Sequence, residues 1–367
     1  MKHYILFIWG ILLSSLVFGQ NPKFQEFFVG TYTSEGAEGI NLCKLNTETG
    51  EISLENTFGG IENPSFLRLS PNKKYLYAVS EAGDAGSFVY AYKVVNRELK
   101  FLNRQSSNGQ GPCHVDVSQK GYYVAVATYG GGTTSVYPVD KNGKLKEAFA
   151  TIVNSGSGPV ADRQTRPHAH SIKFSPFDSR VFSADLGTDQ LNIYEMSYSG
   201  LKKSAQEYVK LPAGSGPRHF DFHPNGKVIY VINELNSTVS ALKKEGERWS
   251  VFQNISTLPS DFDGESYCAD IHISKDGKYL YGSNRGHNSI AVFEVNPTDQ
   301  SLKLLETVPV QGNWPRNFGI TPDGNLMLVA NQRSSNITVF KINKETGSLT
   351  FSGKEIKLPA PVCIEFL

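Results

Sequence analysis

From residue 65 onward the chain repeats itself at intervals of about fifty residues, and this period limits what it can fold into. Each unit reads as an apolar alternating strand, a polar turn, and a second alternating strand ending on a polar side chain. Aligned starts fall at Ser65, Cys113, His170, Arg218, Ala269 and Arg316, with steps of 48, 57, 48, 51 and 47 residues. Turns such as Ser274-Lys275-Asp276-Gly277-Lys278 and Thr321-Pro322-Asp323-Gly324-Asn325 carry the chemistry of tight hairpins. A third strand follows, as in Ser289-Ile290-Ala291-Val292-Phe293-Glu294-Val295, then a turn and a fourth. Four strands in fifty residues is the content of one β-propeller blade.

Six whole units leave a fragment at each end. Pro361 to Leu367 reads as a first strand without a successor, and Phe27 to Tyr32 as a second strand without a predecessor. Joining them completes a seventh blade and leaves no open sheet edge. The expected fold is therefore all-β, a seven-bladed β-propeller whose seventh blade is closed by the two terminal strands. In that blade Cys363 lies on the first strand and Cys43 on the third, two strand spacings or roughly 9–10 Å apart, too far for a disulfide. With Cys113 and Cys268 also inside strand-like runs, all four cysteines read as buried free thiols.

Composition narrows the function classes. With 36 basic and 35 acidic side chains the formal charge is +1, which argues against nucleic-acid binding through a broadly basic surface. The N terminus stands apart from the repeat. Lys2 and His3 precede an apolar run from Tyr4 to Leu13, and small or neutral Val17 and Gly19 mark a cleavage region. Residues 1–19 read as a secretory signal and 20–367 as one propeller domain, with a periplasmic or secreted product. The run is short for a bilayer span, so no membrane attachment is expected after cleavage. The expected product is a monomer or weak oligomer.

In a blade the first strand lines the channel and the second runs back beside it. First-strand starts and second-strand ends thus share one face of the disc, and the hairpin turns occupy the other. The shared face collects His114, His170, His219, Arg218, Arg285, Arg316, Glu81, Asp185, Glu234 and Asp270. Charged groups converging on a narrow channel mouth make a candidate site. The Gly-rich loops 109–112, 154–159 and 214–217 approach the same face. The second of these runs on through Asp162, Arg163 and Arg166 to His168, which accounts for the 57-residue step.

Arg166-Pro167-His168-Ala169-His170-Ser171, Gly216-Pro217-Arg218-His219, Asn233-Glu234-Leu235 and Ser283-Asn284-Arg285-Gly286 together resemble the lactonase family of seven-bladed propellers. That family includes propeller-type 6-phosphogluconolactonases and the carboxy-muconate cyclase. The similarity runs from about Phe27 to the C terminus. It implies hydrolysis of a sugar-acid lactone, with no cofactor, and places the catalytic residues at His170, Arg218, Glu234 and Arg285. His168, His114, Glu81, Asp185 and Arg316 are expected to line the same mouth and bind substrate.

Lactone hydrolysis needs an activated water and charge stabilisation at the carbonyl oxygen. Glu234 or His170 can take the proton, and Arg218 and Arg285 can hold the oxyanion or an anionic substituent. No Gly-x-Ser-x-Gly elbow is present, so a serine acyl-enzyme is not indicated. His168 and His170 alternate on one strand, but no third ligand stands at a recognisable spacing, and no metal is expected. Three alternatives stay open: a different aldonolactone outside the inner membrane, a muconate-type cyclase, and a non-catalytic propeller binding a sugar acid or a protein.

Overall fold

Alternating apolar residues give each strand two faces to bury, one against each neighbouring blade, and the hairpin turns gather the strands into sheets. The computed structural model describes residues 23–83, 87–197 and 200–367; the expected leader, residues 1–19, lies outside them. The described residues form seven four-stranded antiparallel sheets, the blades of a seven-bladed β-propeller. The innermost strands, taken as blades 1 to 7, are Pro361–Phe366, Leu67–Leu69, Pro112–Val117, Ala169–Phe174, Pro217–Phe222, Tyr267–Ile273 and Pro315–Ile320. Among the described residues no helix is long and apolar enough to cross a membrane.

The ring closes as the terminal fragments suggest. Phe24–Thr31 pairs with Ile40–Asn46 on one side and with Pro361–Phe366 on the other, Phe27 opposite Phe366 and Val29 opposite Ile364. All four cysteines are buried free thiols. One boundary differs from expectation. The first inner strand begins at Leu67 rather than Ser65, because Asn63 is left-handed (φ 41°) and Ser65 N–H bonds back to its carbonyl at 2.7 Å. That turn holds Ser65 outside the ladder.

The core lies between blades. Tyr77, Val79 and Val89 of blade 2 pack on Val115, Val124 and Val126 of blade 3, and such burial stabilises by about 1.5–3 kcal/mol per side chain. Buried tyrosines also donate across blades: Tyr77 to Gly143 O (3.2 Å), Tyr281 to Gly347 O (3.0 Å) and Tyr230 to Gln300 O (2.8 Å).

Along the channel the inner strands would present an unpaired edge. Side chains of the preceding blade close it. Phe174 N donates to Asp116 (2.9 Å), Ile273 N to Asp221 (3.1 Å), Phe318 N to Asp270 (3.3 Å), Ile364 N to Asn317 (2.7 Å) and Leu69 N to Glu365 (2.9 Å). The channel is therefore a hydrogen-bonded seam with charged residues in it.

Candidate active site

Period-two alternation would send every second inner-strand residue to the same side. The ladders break that rule at one repeated place. Pro112 and His114 face consecutive residues of their partner strand, and so do Ala169 and Ser171, Pro217 and His219, and Pro315 and Asn317. Cys113, His170, Arg218 and Arg316 are thus the extra residues of four bulges, a device that re-aims side chains. All four were expected on this face, and His170, Arg218 and Arg316 as site residues.

The second-strand ends are anchored separately. Asn233 and Asn284 are fully buried, each one residue before a functional side chain. Asn233 Nδ2 donates to Thr238 and Ser240, and Asn284 Nδ2 to Ser289 and Thr257 O. Glu234 N–H then bonds to Gly216 O at 2.7 Å. These contacts leave Glu234 and Arg285 to project over the channel.

Glu234 is the hub. Its Oε2 accepts from Arg218 Nε (3.1 Å) and lies 2.8 Å from Arg285 Nη2, while Oε1 accepts from Arg163 Nη2 at 2.5 Å. His170 Nε2 stands 4.0 Å from Oε2. Burial opposes charge on this carboxyl, but Arg285, Arg218 and Arg163 overcome it and hold the group at about 2. Burial, then Arg218, His219 and Arg316, push the His170 imidazole well below its ordinary range, so it is neutral at physiological pH. Burial and the like charges of Arg285 and Arg316 lower Arg218 to about 9, still cationic at neutral pH. The four expected catalytic residues therefore converge.

The remaining expected residues divide. Glu81 accepts from Tyr32 OH at 2.8 Å, and Arg316 lies over the Tyr32 ring at 5.2 Å, so both stand at the mouth. His168 stacks on Tyr129 (4.4 Å) and its Nδ1 donates to Tyr129 O (2.8 Å), forming the wall beside His170. His114 is deeper, stacked on Phe66 at 4.2 Å, its Nδ1 accepting from Ile172 N. Asp185 is fully buried behind the long loop, its oxygens taking His168 N, Gly187 N and Asn154 Nδ2 at 2.8–3.0 Å. It anchors the loop rather than opening on the channel.

Arg163 and Tyr129, which the sequence places on the long loop and at a second-strand end of this face, join the site without having been assigned a role. Tyr129 ends a second strand in the place equivalent to Glu81, and its hydroxyl accepts from Arg163 at 3.3 Å. Arg163 sits on the long loop, where spacing carries no register. The loop is stapled by buried Gln164, whose Nε2 donates to Leu186 O (2.7 Å) and Asp189 Oδ1 (2.6 Å). Asp189 also accepts Gly214 N and Gly216 N, tying the loop to the turn before Arg218. Gly187 lets the two segments meet, since a Cβ there would overlap the Arg166 carbonyl oxygen.

Beneath the mouth a void of about 10 Å³ is lined by Ser65, Glu81, Cys113, Arg218, His219 and Arg316, room for about one water. A larger cavity of about 580 Å³ opens on the hairpin-turn face. Arg68 there is already paired with Asp116 and Glu365, and none of the expected site residues lines it. No group of three or more metal-ligating side chains gathers among the described residues.

Comparison with known proteins agrees with this fold. Residues 26–366 match the family described as lactonase, 7-bladed beta-propeller. The chain is 37% identical over 344 residues to a 6-phosphogluconolactonase of Bacillus subtilis, covering 93% of this chain and 97% of the relative. It is 39% identical to a 6-phosphogluconolactonase of Formosa agariphila, covering 88% and 94%. Among solved structures it superposes on a periplasmic gluconolactonase of Pseudomonas aeruginosa with a TM-score of 0.88 and 28% identity, covering 94% and 99% of the two chains. With the family's fold, and the four motif residues gathered at one channel mouth, this chain belongs to the lactonase family of seven-bladed β-propellers.

Proposed function

We propose that the protein is a lactone hydrolase of the 6-phosphogluconolactonase type, opening the ring of a sugar-acid lactone that carries or develops negative charge. The observation that carries this reading is the cluster of Arg163, Arg218 and Arg285 on Glu234 beside a neutral imidazole. Three guanidiniums on one carboxylate leave excess positive charge at the mouth, and Arg316 adds to it. Such a mouth suits a carbonyl oxygen becoming an oxyanion.

Water attacks the lactone carbonyl carbon as its proton passes to the His170 imidazole, the carbonyl electrons move to oxygen, and Arg218 and Arg285 hold the resulting charge. Collapse of the tetrahedral intermediate breaks the bond to the ring oxygen, which leaves as a hydroxyl once protonated. His170 is the better candidate for moving that proton. Glu234, held at about 2 by three arginines, is a weak base and serves to hold them. His170 is depressed by burial and by Arg218 and Arg316, and an anionic substrate offsets the arginine fields, raising imidazole basicity when substrate is bound.

A second reading concerns location and substrate. The apolar segment at residues 4–13 supports export, and the Pseudomonas aeruginosa relative is a periplasmic gluconolactonase. We infer that the mature chain, from about residue 20, works outside the cytoplasm on a free aldonolactone. Assays of purified protein on 6-phosphogluconolactone, gluconolactone and a muconolactone separate these substrates. Absence of turnover on every lactone would favour a binding propeller.

A further inference from the structure

Arg218 and His219 are neighbours in the chain, yet their side chains touch. Arg218 Nη1 lies 3.3 Å from His219 Nε2. In a regular strand they would point to opposite faces; the bulge at this position turns both into the channel. On the far side of the ring, His219 Nδ1 is 2.7 Å from Asp270 Oδ1. Asp270 is held in turn by His272 Nε2 (2.9 Å), Asn317 Nδ2 (2.5 Å) and Phe318 N (3.3 Å).

The chemistry of these partners sets the proton position. A carboxylate accepts and a guanidinium donates. The ring must therefore carry its proton on Nδ1 and offer the Nε2 lone pair to Arg218. Burial, then Arg218, depress this imidazole to about 3, so it is neutral near pH 7. Arg218 Nε is committed to Glu234, and Nη1 is shared between Ala269 O (2.5 Å) and His219. Among the described residues Nη2 meets no protein acceptor. With the guanidinium plane held on two edges, Nη2 is the donor left to face a ligand.

We propose that Asp270 and His219 form a positioning pair for Arg218: Asp270 selects the tautomer, and Nε2 holds the guanidinium so that Nη2 meets the developing oxyanion. This rests on the lactonase reading above. An imidazole suits the task because it is uncharged. A second carboxylate on Nη1, added to Glu234 on Nε, would orient the guanidinium equally well but cancel the positive charge the arginine cluster leaves at the mouth, whereas the neutral ring transmits the orientation alone.

Two substitutions separate positioning from other roles. His219→Gln places an amide oxygen near the position of Nε2, where it accepts from Arg218. His219→Asn keeps only a group near Nδ1, facing Asp270. With the lactone the wild type turns over fastest, kcat of His219→Gln should stay within about 10-fold of wild type. That of His219→Asn should fall about 100-fold, with KM changed less than about 3-fold, as expected for a contact made in the transition state. Equal kcat for the two variants overturns the proposal: equal and near wild type with a lowered melting point means a structural role, equal and abolished means direct proton transfer by His219. Independently, ¹⁵N NMR of histidine-labelled wild type at pH 7, with the His219 signals assigned through the variants, should show the Nδ1–H tautomer. An Nε2–H tautomer or an imidazolium overturns the pair. That spectrum applies even if the wild type hydrolyses no lactone, in which case the lactonase reading fails by itself.

Discussion

Arg163, on a loop between blades 3 and 4, reaches the carboxylate of Glu234 on blade 5 at 2.5 Å and closes one side of the channel mouth. Its side chain is 34% exposed while that of Glu234 is 6% exposed, so the contact is the lid of a buried cluster. A charge-assisted bond of this kind contributes about 1.5–3 kcal/mol. Arg163→Ala should free the loop more than the fold. Amide hydrogen exchange over residues 154–166 should accelerate by at least about tenfold, and KM should rise by a similar factor, each tenfold being about 1.4 kcal/mol. Unchanged exchange would show that Gln164 and Asp189 hold the loop alone.

Glu234→Gln and His170→Ala should separate in a way that two interchangeable bases would not. His170→Ala should lower kcat by about 10²-fold or more with a near-parental melting temperature. Glu234→Gln leaves Arg218 and Arg285 buried without their counter-charge, a loss of about 3–5 kcal/mol, so activity and melting temperature should fall together. Thermal melts alongside turnover per folded molecule check both. Full activity in a folded double variant would move the site elsewhere.

Acid should weaken the fold in two stages. His114, His170 and His219 are buried neutral, with burial the first cause of each depressed value. The unfolded chain binds protons below about pH 6.5 that the folded chain refuses, so stability falls as pH drops from there. For Glu234 the folded value is about 2 against an ordinary 4.5. Its contribution is complete above about 4.5 and is lost as pH falls towards 2. Urea denaturation from pH 7.5 to 4 should show a declining midpoint well before ordinary carboxylates titrate. A flat midpoint down to pH 5 would contradict the buried neutral histidines.

Arg316 lies over the Tyr32 ring at 5.2 Å, with Glu81 and Glu234 near enough to favour its charge. A guanidinium in that state is suited to a substrate phosphate or carboxylate. Arg316→Ala should raise KM for 6-phosphogluconolactone about tenfold more than for gluconolactone, the scale of one charge-assisted contact. Equal effects on both substrates would place the phosphate elsewhere.

Removing residues 361–367 takes away the inner strand of blade 1, with buried Val362, Cys363 and Ile364. The lost ladder and burial amount to several kcal/mol, comparable with the about 5–15 kcal/mol that hold a domain together. The truncated chain should lose its cooperative melt. A parental transition would mean that the ring closes without this strand.

Much of this architecture was legible in order along the chain. The fifty-residue period, the unmatched fragments at Phe27 and Pro361, and the grouping of His170, Arg218, Glu234 and Arg285 on one face all follow from alternation and turn chemistry, which are local. Local rules could not reach further. Alternation places consecutive residues on opposite sides, so it could not show Arg218 and His219 side by side; that needed the bulge, which exists only against a partner strand. Asp185, one place before the position equivalent to Glu234, was expected at the mouth, but the long loop folds over it and takes both its oxygens. Arg163 lies on that loop, outside any period, and only the closed ring brings it to Glu234. The choice between Glu234 and His170 as base was open for the same reason. Basicity depends on how many guanidiniums surround a carboxylate at about 3 Å, and those arrive from blades 5 and 6 and the loop before blade 4. Sequence determined which groups face the channel; tertiary structure decided which of them touch, because contact across blades is set by the closure of the ring.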